Sequence, residues 1–207
     1  MRKVIVQEWV TLDGLAAGPE GNVDFVSGST RGDRTFGDDQ LAFLDSIDTI
    51  LLGRVTYQMF AGYWPGVTEG EEKPFADKLN GTPKLVFTQT LRHAPWGTWK
   101  EARIVRNGAA EEVGKLKRQP GKDIVVWGSI SLAQHLIDQG LVDEYRLVMC
   151  PIVLGSGRPL FREGAPLDMK LVASKTLDRG AVALTYVQVH GNSAAQAAGV
   201  SRYGATL

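Results

Sequence analysis

The stretch DIVVWGSISLAQHLIDQG, residues 123–140, decides the fold. Residues 124–127 form an unbroken apolar run, which is typical of a strand buried on both faces. Apolar residues then recur at helical spacing up to Gly140, a suitable helix C-cap. The turn at residues 128–130 therefore joins a buried strand to a helix, whose unpaired N–H groups suit a phosphate. Taken alone, the turn is better explained as an ordinary strand–helix connection that needs a small residue than as a phosphate site.

Composition and charge limit the possible functions. The chain has 207 residues with 23 basic and 23 acidic side chains, so no bulk positive field holds nucleic acid or an anionic membrane. No apolar run reaches membrane-spanning length, and the N-terminus lacks the apolar core of a signal peptide. Cys150 is the sole cysteine, which excludes an internal disulfide and a cysteine-based metal cluster. We expect a cytoplasmic protein without a metal.

Strands and helices alternate along the chain and then give way to a hairpin. Besides residues 123–140, apolar runs predict strands at residues 3–10, 49–52, 84–88, 143–150, 169–175 and 182–189. A helix is predicted at residues 38–47 and an irregular stretch at 28–33. We expect one α/β domain over residues 1–190, built on a mostly parallel sheet with a C-terminal antiparallel hairpin. Residues 191–207 are small and polar, which predicts a flexible tail.

Glycines and polar side chains follow three of the predicted strands. Because the carboxyl ends of parallel strands meet at one edge of a sheet, we expect these groups to lie together. Glycine-lined helix starts suit a pyrophosphate, and an arginine among hydroxyls suits a ribose 2′-phosphate, so the set describes NADPH better than NADH. A solvated surface cation is the alternative for the arginine alone. The residues are Gly53, Arg54, Thr56, Thr88, Gln89, Thr90, Gly128, Ser129, Ile130 and Ser131.

Three carboxylates and one tryptophan are further candidates. Asp13, beside Gly14 in the first loop, is a candidate catalytic and substrate-binding residue, with the capping of a turn as its alternative. Asp38 and Asp39 supply either a catalytic carboxylate that protonates or orients a ring, or a helix N-cap. Trp64 lies in the aromatic turn GYWPGVT, residues 62–68, and is a candidate wall for a heterocycle, with core packing as its alternative.

Several of these segments resemble known cofactor motifs. ILLGRVTY at residues 50–57 and KLVFTQT at 84–90 resemble those of dihydrofolate reductases, and DIVVWGSIS takes the place of that family's glycine-rich turn. The whole pattern is more similar still to the reductase domain at the C-terminus of the bifunctional riboflavin-biosynthesis deaminase-reductase. The segments that carry this resemblance, in order, are TLDGLAAGP, GRVTYQMFAGYWP, VWGSISLAQHLIDQGLVDEYRL and PIVLGSGRPLF.

The resemblance implies a three-layer α/β/α sandwich of the dihydrofolate reductase type, with NADPH laid across the strand ends. It assigns phosphates to residues 53–56 and 128–130, and the adenosine ribose with its 2′-phosphate to residues 88–90. It assigns the nicotinamide carboxamide to the backbone of Ala16 or Ala17. A small-molecule substrate would face the nicotinamide between the first loop and the helix that carries Asp38. A homodimer is expected from the resemblance alone.

Three departures from these families bear on the substrate. The triple-glycine motif of dihydrofolate reductases is reduced here to Gly128, and Val148 replaces the strand threonine that supports their catalytic acid. The zinc signature of the deaminase needs two cysteines, which this chain lacks. The resemblance therefore implies an NADPH-dependent reductase that passes hydride to a ribosylaminopyrimidine-like or pterin-like heterocycle. Dihydrofolate reduction is a disfavoured alternative, and a non-catalytic nucleotide-binding protein is the alternative from another class.

Overall fold

A computed structural model describes residues 1–30, 32–164 and 166–189 of the chain. Ten strands are formed: β1 (Val4–Thr11), β2 (Leu15–Ala17), β3 (Ile47–Gly53), β4 (Lys84–Phe87), β5 (Arg103–Val105), β6 (Asp123–Trp127), β7 (Glu144–Cys150), β8 (Arg158–Pro159), β9 (Met169–Thr176) and β10 (Val182–Gln188). Six α-helices accompany them: α1 (Asp24–Thr30), α2 (Arg34–Ser46), α3 (Arg54–Tyr63), α4 (Lys73–Gly81), α5 (Ala109–Arg118) and α6 (Ile130–Asp138). A 3-10 turn at Trp64–Gly66 follows α3.

Eight of the strands form one sheet in the order β5-β4-β3-β6-β1-β7-β10-β9. Every pair from β5 to β7 is parallel, whereas β10 is antiparallel to both β7 and β9. The prediction of a mostly parallel sheet closed by an antiparallel hairpin is therefore confirmed. β1 lies in the interior of the sheet, where Gln7 is level with Trp127 on β6 and with Arg146 on β7. β2 and β8 form a separate small antiparallel sheet.

Helices cover both faces of the sheet, as the three-layer prediction requires. Side chains alternate along a strand, so successive residues of β1 reach opposite layers. Val4, Val6 and Val10 pack in the cluster that includes residues of α5 and α6. Ile5 packs in the cluster that includes residues of α2, α3 and α4. We call these two sides of the sheet the α6 face and the α2 face.

Two local predictions are wrong. Residues 28–30, expected to be irregular, are the last residues of α1. The helix expected at residues 38–47 begins at Arg34, because Asp33 caps it and its Oδ1 accepts a hydrogen bond from Phe36 N at 2.8 Å. Asp38 and Asp39 therefore lie inside α2, and the N-cap alternative for them is wrong.

The flexible tail predicted for residues 191–207 lies outside the described residues. Within the described ranges, no helix combines the length and the apolar character that crossing a bilayer requires.

Candidate cofactor and substrate site

The strand–helix joints after β3 and β6 are bonded directly to each other. The Gly53 backbone N–H donates to Ser129 Oγ at 2.8 Å. In the opposite direction, Ser129 N–H donates to Thr56 Oγ1 at 3.1 Å. The Ser129 hydroxyl also donates to the Trp127 carbonyl at 2.9 Å. Residues far apart in the sequence therefore form one rigid unit at the carboxyl edge of the sheet.

The backbone of the turn after β6 has the left-handed conformation at two consecutive residues. Gly128 has φ +53°, and a Cβ there would lie 3.3 Å from Thr56 Cγ2, so a side chain has little room. Ser129 has φ +60° and is the one non-glycine residue with positive φ in the described chain. This conformation costs of order 1–3 kcal/mol, which the bonds of Ser129 to α3 and β3 offset. Strained residues that are held in this way cluster at functional sites.

The same turn leaves the start of α6 open to an anion. The first bonds of the helix run from Leu132 N and Ala133 N to the Ser129 carbonyl, at 2.8 and 3.0 Å. The N–H groups of Ile130 and Ser131 come before this ladder, so the helix offers them no acceptor. Together with the helix dipole they can hold a phosphate oxygen.

The loop after β4 is held by its own side chains. Thr88 Oγ1 accepts from Thr90 N at 3.2 Å and from Leu91 N at 3.3 Å. The Gln89 amide donates to the Arg106 carbonyl. In return, the exposed guanidinium of Arg106 donates to the Leu91 carbonyl at 3.0 Å. Arg106 was not among the residues predicted from the sequence. Its contact with Leu91 places a second cation beside residues 88–90, the segment predicted to hold the 2′-phosphate.

Arg54 completes this edge from the first turn of α3. Its side chain is exposed and its Nη1 donates to Gln58 Oε1 at 3.1 Å. β4, β3 and β6 are consecutive in the sheet, so the three polar strand ends lie side by side. The structure thus brings the ten residues predicted from the strand ends to one edge. Their contact with a dinucleotide remains a prediction.

The first loop is tied to the loop before β8. Asp13 Oδ1 accepts from the Thr11 hydroxyl at 2.5 Å and Oδ2 accepts from Gly155 N at 2.8 Å. The Thr11 hydroxyl, followed by the Gly155 N–H, lowers the pKa of Asp13. These bonds give Asp13 a positioning role in the loop, and its predicted role in catalysis is not tested by them.

Ala16 and Ala17 lie in β2, and both are buried. Ala17 pairs with Arg158 of β8, and a Cβ at the neighbouring Gly157 would collide with the Ala17 carbonyl oxygen. Glycine is therefore required there, and it lets the two short strands pack closely. This places the backbone of β2 beside the end of β1, where the resemblance assigns the nicotinamide carboxamide.

A polar network lies on the α2 face of β1. Asp39 Oδ2 accepts from Arg146 Nη2 at 2.5 Å, and Gln40 Oε1 accepts from Gln7 Nε2 at 2.5 Å. All four side chains line a cavity of about 20 Å³, which is room for one water molecule. The sequence pointed to Asp39 and to the neighbouring Gln40, whereas Gln7 and Arg146 were missed. Asp38 is exposed, and we find no contact that brings it into this network.

Trp64 is half-buried and belongs to an aromatic cluster. Its ring centroid lies 4.9 Å from that of Phe75 and 5.0 Å from that of Tyr63. The ring of Phe75 in turn contacts Trp127 at the end of β6. Core packing, the alternative stated for Trp64, is therefore observed, and a substrate contact remains a prediction.

Four buried polar atoms have no hydrogen-bond partner in the described part of the chain. Two are on the α2 face, Gln7 Oε1 and Trp9 Nε1, and two are Glu8 Oε2 and the Tyr145 hydroxyl. Glu8 is 5% exposed, and its burial raises the pKa of its carboxyl to about 8. Buried polar groups are usually satisfied, so these atoms are candidates for contact with a ligand.

Comparison with known proteins agrees with this geometry. The family model of the RibD C-terminal domain matches residues 2–183. The chain belongs to the RibD C-terminal domain family. The uncharacterized protein YyaP of Bacillus subtilis (strain 168) is 36% identical over 187 residues, which cover 89% of this chain and 94% of YyaP.

Solved structures share the fold of this RibD C-terminal domain. A putative riboflavin biosynthesis protein from Shewanella sp. PV-4 has a TM-score of 0.70 and 21% identity, covering 90% of this chain and 99% of its own. Dihydrofolate reductase from Enterococcus faecalis, complexed with NADP(H) and RAB-propyl, has a TM-score of 0.57 and 14% identity, covering 90% and 96%. The dihydrofolate reductase-like fold predicted from the sequence is therefore confirmed.

Proposed function

We propose that this protein is an NADPH-dependent reductase that delivers hydride to a ribosylaminopyrimidine-like or pterin-like heterocycle. The observation that carries the proposal is the bonded unit formed by Gly53, Thr56 and Ser129 at the carboxyl edge of the sheet. It presents a helix start, the tight turn at Gly128 and Ser129, and an adjacent guanidinium at one edge of the sheet. Membership of the RibD C-terminal domain family supports a reductase of the riboflavin-pathway type.

The donor set fits a dinucleotide phosphate. The N–H groups of Ile130 and Ser131 suit the pyrophosphate, because a helix start favours negative charge. Arg54 and the loop of Thr88, Gln89 and Thr90 suit the 2′-phosphate. At Gly128 the positive φ and the contact with Thr56 favour glycine, which lets the turn pack closely against α3. When bound, the nicotinamide supplies the hydride.

The protein itself contributes position and polarity. Ser129 fixes the phosphate end by bonding both neighbouring strand ends, which removes motion that binding would otherwise have to restrict. The loops tied by Asp13 fix β2 beside the end of β1. On the α2 face, Asp39 and Arg146 can orient a polar ring.

Two observations disfavour dihydrofolate as the substrate. Asp39 is already ion-paired with Arg146, so it is not an isolated acid waiting for a pterin. Val148 is 3% exposed in an apolar cluster with Phe36 and Cys150, where it offers no hydroxyl to a neighbouring acid. A non-catalytic binding protein would differ from the proposed reductase in one respect only: it would bind NADPH without oxidising it.

The proposal also includes a homodimer that works in the cytoplasm. The outer hairpin supports the first part, because Leu171 and Val172 on the edge strand β9 are 47% and 52% exposed. Large apolar side chains on an uncovered sheet edge favour association with a second chain. Sedimentation equilibrium of the purified protein tests this part separately, and a monomer at micromolar concentration would contradict it.

Titration with NADPH and NADH tests the cofactor assignment. Tryptophan fluorescence and calorimetry report binding for the wild type, for Arg54→Ala and for Arg118→Ala. Arg118 is exposed at the end of α5, remote from the candidate edge, and serves as the charge-matched control. We expect Arg54→Ala to weaken NADPH binding about tenfold or more and NADH binding much less, since only NADPH carries the 2′-phosphate.

The outcomes separate the alternatives. Equal losses for both nucleotides in Arg54→Ala would contradict a 2′-phosphate role for this residue. Absence of binding to the wild type would overturn the proposed function. Where NADPH binds, oxidation at 340 nm in the presence of pyrimidine, pterin and carbonyl compounds distinguishes a reductase from a binding protein.

A further inference from the structure

The hydrogen bonds on the α2 face run in one direction, from Gln7 to Asp39. Asp39 Oδ2 accepts from Arg146 Nη2 at 2.5 Å and from Gln40 Nε2 at 3.4 Å. Because the carboxylate of this ion pair only accepts, Gln40 turns its NH₂ group toward Asp39 and its Oε1 toward Gln7. Gln7 then has to present its own NH₂ group, and its Nε2 donates to Gln40 Oε1 at 2.5 Å. This direction leaves the carbonyl oxygen of Gln7 at the end of the series.

The carbonyl oxygen of Gln7 is buried and needs a donor. Gln7 is 1% exposed, and its Oε1 has no hydrogen-bond partner among the described residues. A buried acceptor without a donor carries the full free-energy cost of its desolvation. Folded proteins usually satisfy such groups, and an ordered water is a common partner.

The cavity on the α2 face has the size and the lining that a water requires. Its volume is about 20 Å³, which admits one water but no organic ligand. Gln7, Arg146 and Thr185 are level on the adjacent strands β1, β7 and β10, so their side chains share this face. All three line the cavity, together with Asp39 and Gln40 of α2.

We propose that one resident water occupies this cavity and completes the network. The water donates one proton to Gln7 Oε1 and the other to the hydroxyl oxygen of Thr185. It accepts from the guanidinium of Arg146, which carries five N–H groups and directs its Nη2 to Asp39. Three hydrogen bonds are the usual number for a buried water. Because every partner is a protein group, the inference does not depend on the proposed cofactor or reaction.

This water links the C-terminal hairpin to the centre of the sheet. It joins Thr185 of β10 to Gln7 of β1, and through Gln7 to the network that includes Asp39 of α2. A direct bond already ties the same hairpin to the start of α2, where Asp178 N donates to Asp33 Oδ2 at 2.6 Å. The hairpin and α2 are therefore held together at two separate positions.

A high-resolution crystal structure of the protein tests the water directly. We expect a density peak at hydrogen-bond distance, about 2.7–3.2 Å, from Gln7 Oε1, an Arg146 nitrogen and Thr185 Oγ1. Absence of this peak would overturn the proposal. So would a Gln7 side chain whose Oε1 accepts from a protein group instead.

A pair of variants at Ala183 tests the same water through stability. Ala183 lines the cavity and pairs with Val148 on β7, so its side chain is on the α2 face. Ala183→Val and Ala183→Thr add side chains of similar shape, and both displace the water. Only the threonine hydroxyl can donate to Gln7 Oε1 in its place. We therefore expect the Tm of Ala183→Thr to exceed that of Ala183→Val by about 2 °C or more.

The same two substitutions at Ala173 are the control. Ala173 lies opposite Thr185 on β9, on the same face, and does not line the cavity. We expect no advantage for threonine there. If Ala183→Val is at least as stable as Ala183→Thr, the cavity favours apolar groups and the proposal is overturned, since burying a hydroxyl without a partner is unfavourable. Failure of the wild type to bind NADPH would overturn the proposed function and leave the water site untouched.

Discussion

Gln7 and Glu8 are consecutive residues of one buried strand, and they meet opposite surroundings. On the α2 face, Gln7 donates to Gln40 at 2.5 Å within a network that extends to Asp39 and Arg146. On the α6 face, Glu8 lies among apolar side chains and its Oε2 lacks a partner among the described residues. The α2 face therefore gives the Gln7 amide a polar neighbour, whereas the α6 face buries the Glu8 carboxyl with no partner for its Oε2. Because side chains alternate across a sheet, two adjacent residues of one strand meet unlike surroundings.

The largest expected effect is on the pH dependence of stability without ligand. The pKa of Glu8 is raised from 4.5 to about 8 in the folded protein, so the native state binds more protons than the unfolded state between these values. The contribution of Glu8 to the free energy of unfolding is fully present below pH 4.5 and is lost as the pH rises through 8. The loss is expected to be roughly 3 to 5 kcal/mol.

This loss is measured by urea unfolding of the wild type and of Glu8→Gln between pH 5 and pH 9. The contributions of other titrating groups cancel in the difference between the two free energies of unfolding. We expect similar stability at pH 5 and a more stable Glu8→Gln protein at pH 9. Parallel stability curves would show that Glu8 ionises freely, and the contrast between the two faces would then disappear.

A smaller effect is expected on the α2 face. Gln7→Leu leaves the Gln40 Oε1 without its donor, which is expected to cost about 1 to 2 kcal/mol. Gln7→Leu combined with Gln40→Leu removes both partners and is expected to recover part of the loss. The measurement is a double-mutant cycle in urea, with a coupling energy of at least about 0.5 kcal/mol expected. Simple additivity would mean that the two amides do not depend on each other.

The smallest effect is expected for Tyr145→Phe. Its hydroxyl is buried and has no partner among the described residues, so removing it deletes no protein hydrogen bond. Stability is expected to change by less than about 1 kcal/mol in either direction. A loss of about 2 kcal/mol or more in thermal or urea unfolding would show that the hydroxyl is satisfied in solution, and the α6 face would then be less apolar than described.

Most of the fold could be predicted from the sequence, because each strand–helix connection is encoded within a short segment. The apolar run at residues 124–127, the glycine that ends it and the following helical spacing are all readable within one short segment, and each is observed. α1 was missed because its residues, DFVSGST, contain a glycine and three hydroxyl side chains and lack an apolar stripe. The early start of α2 was missed for a similar reason, since Gly37 obscures the pattern after the Asp33 cap.

Site residues could be predicted where they directly follow a strand in the sequence. They could not be predicted where their surroundings depend on elements far away in the chain. The polar strand ends could be found because parallel strands share an edge. Glu8 and Gln7 could not, because polar residues in a strand usually indicate contact with solvent. Only the packing of α5 and α6 on one side of β1, and of α2, α3 and α4 on the other, shows that both faces are covered. The strained backbone of Ser129 also depends on partners more than 70 residues away in the chain.

The bonds between Gly53, Thr56 and Ser129 also determine the stage of folding at which this edge of the sheet forms. They join segments separated by 73 and 76 positions. Contacts of such long range form late, because the intervening chain must first be ordered. A growing chain that has not yet delivered residue 129 to the sheet has not formed these bonds. The dinucleotide that we propose as the cofactor would therefore stabilise the finished domain without guiding the early steps of folding.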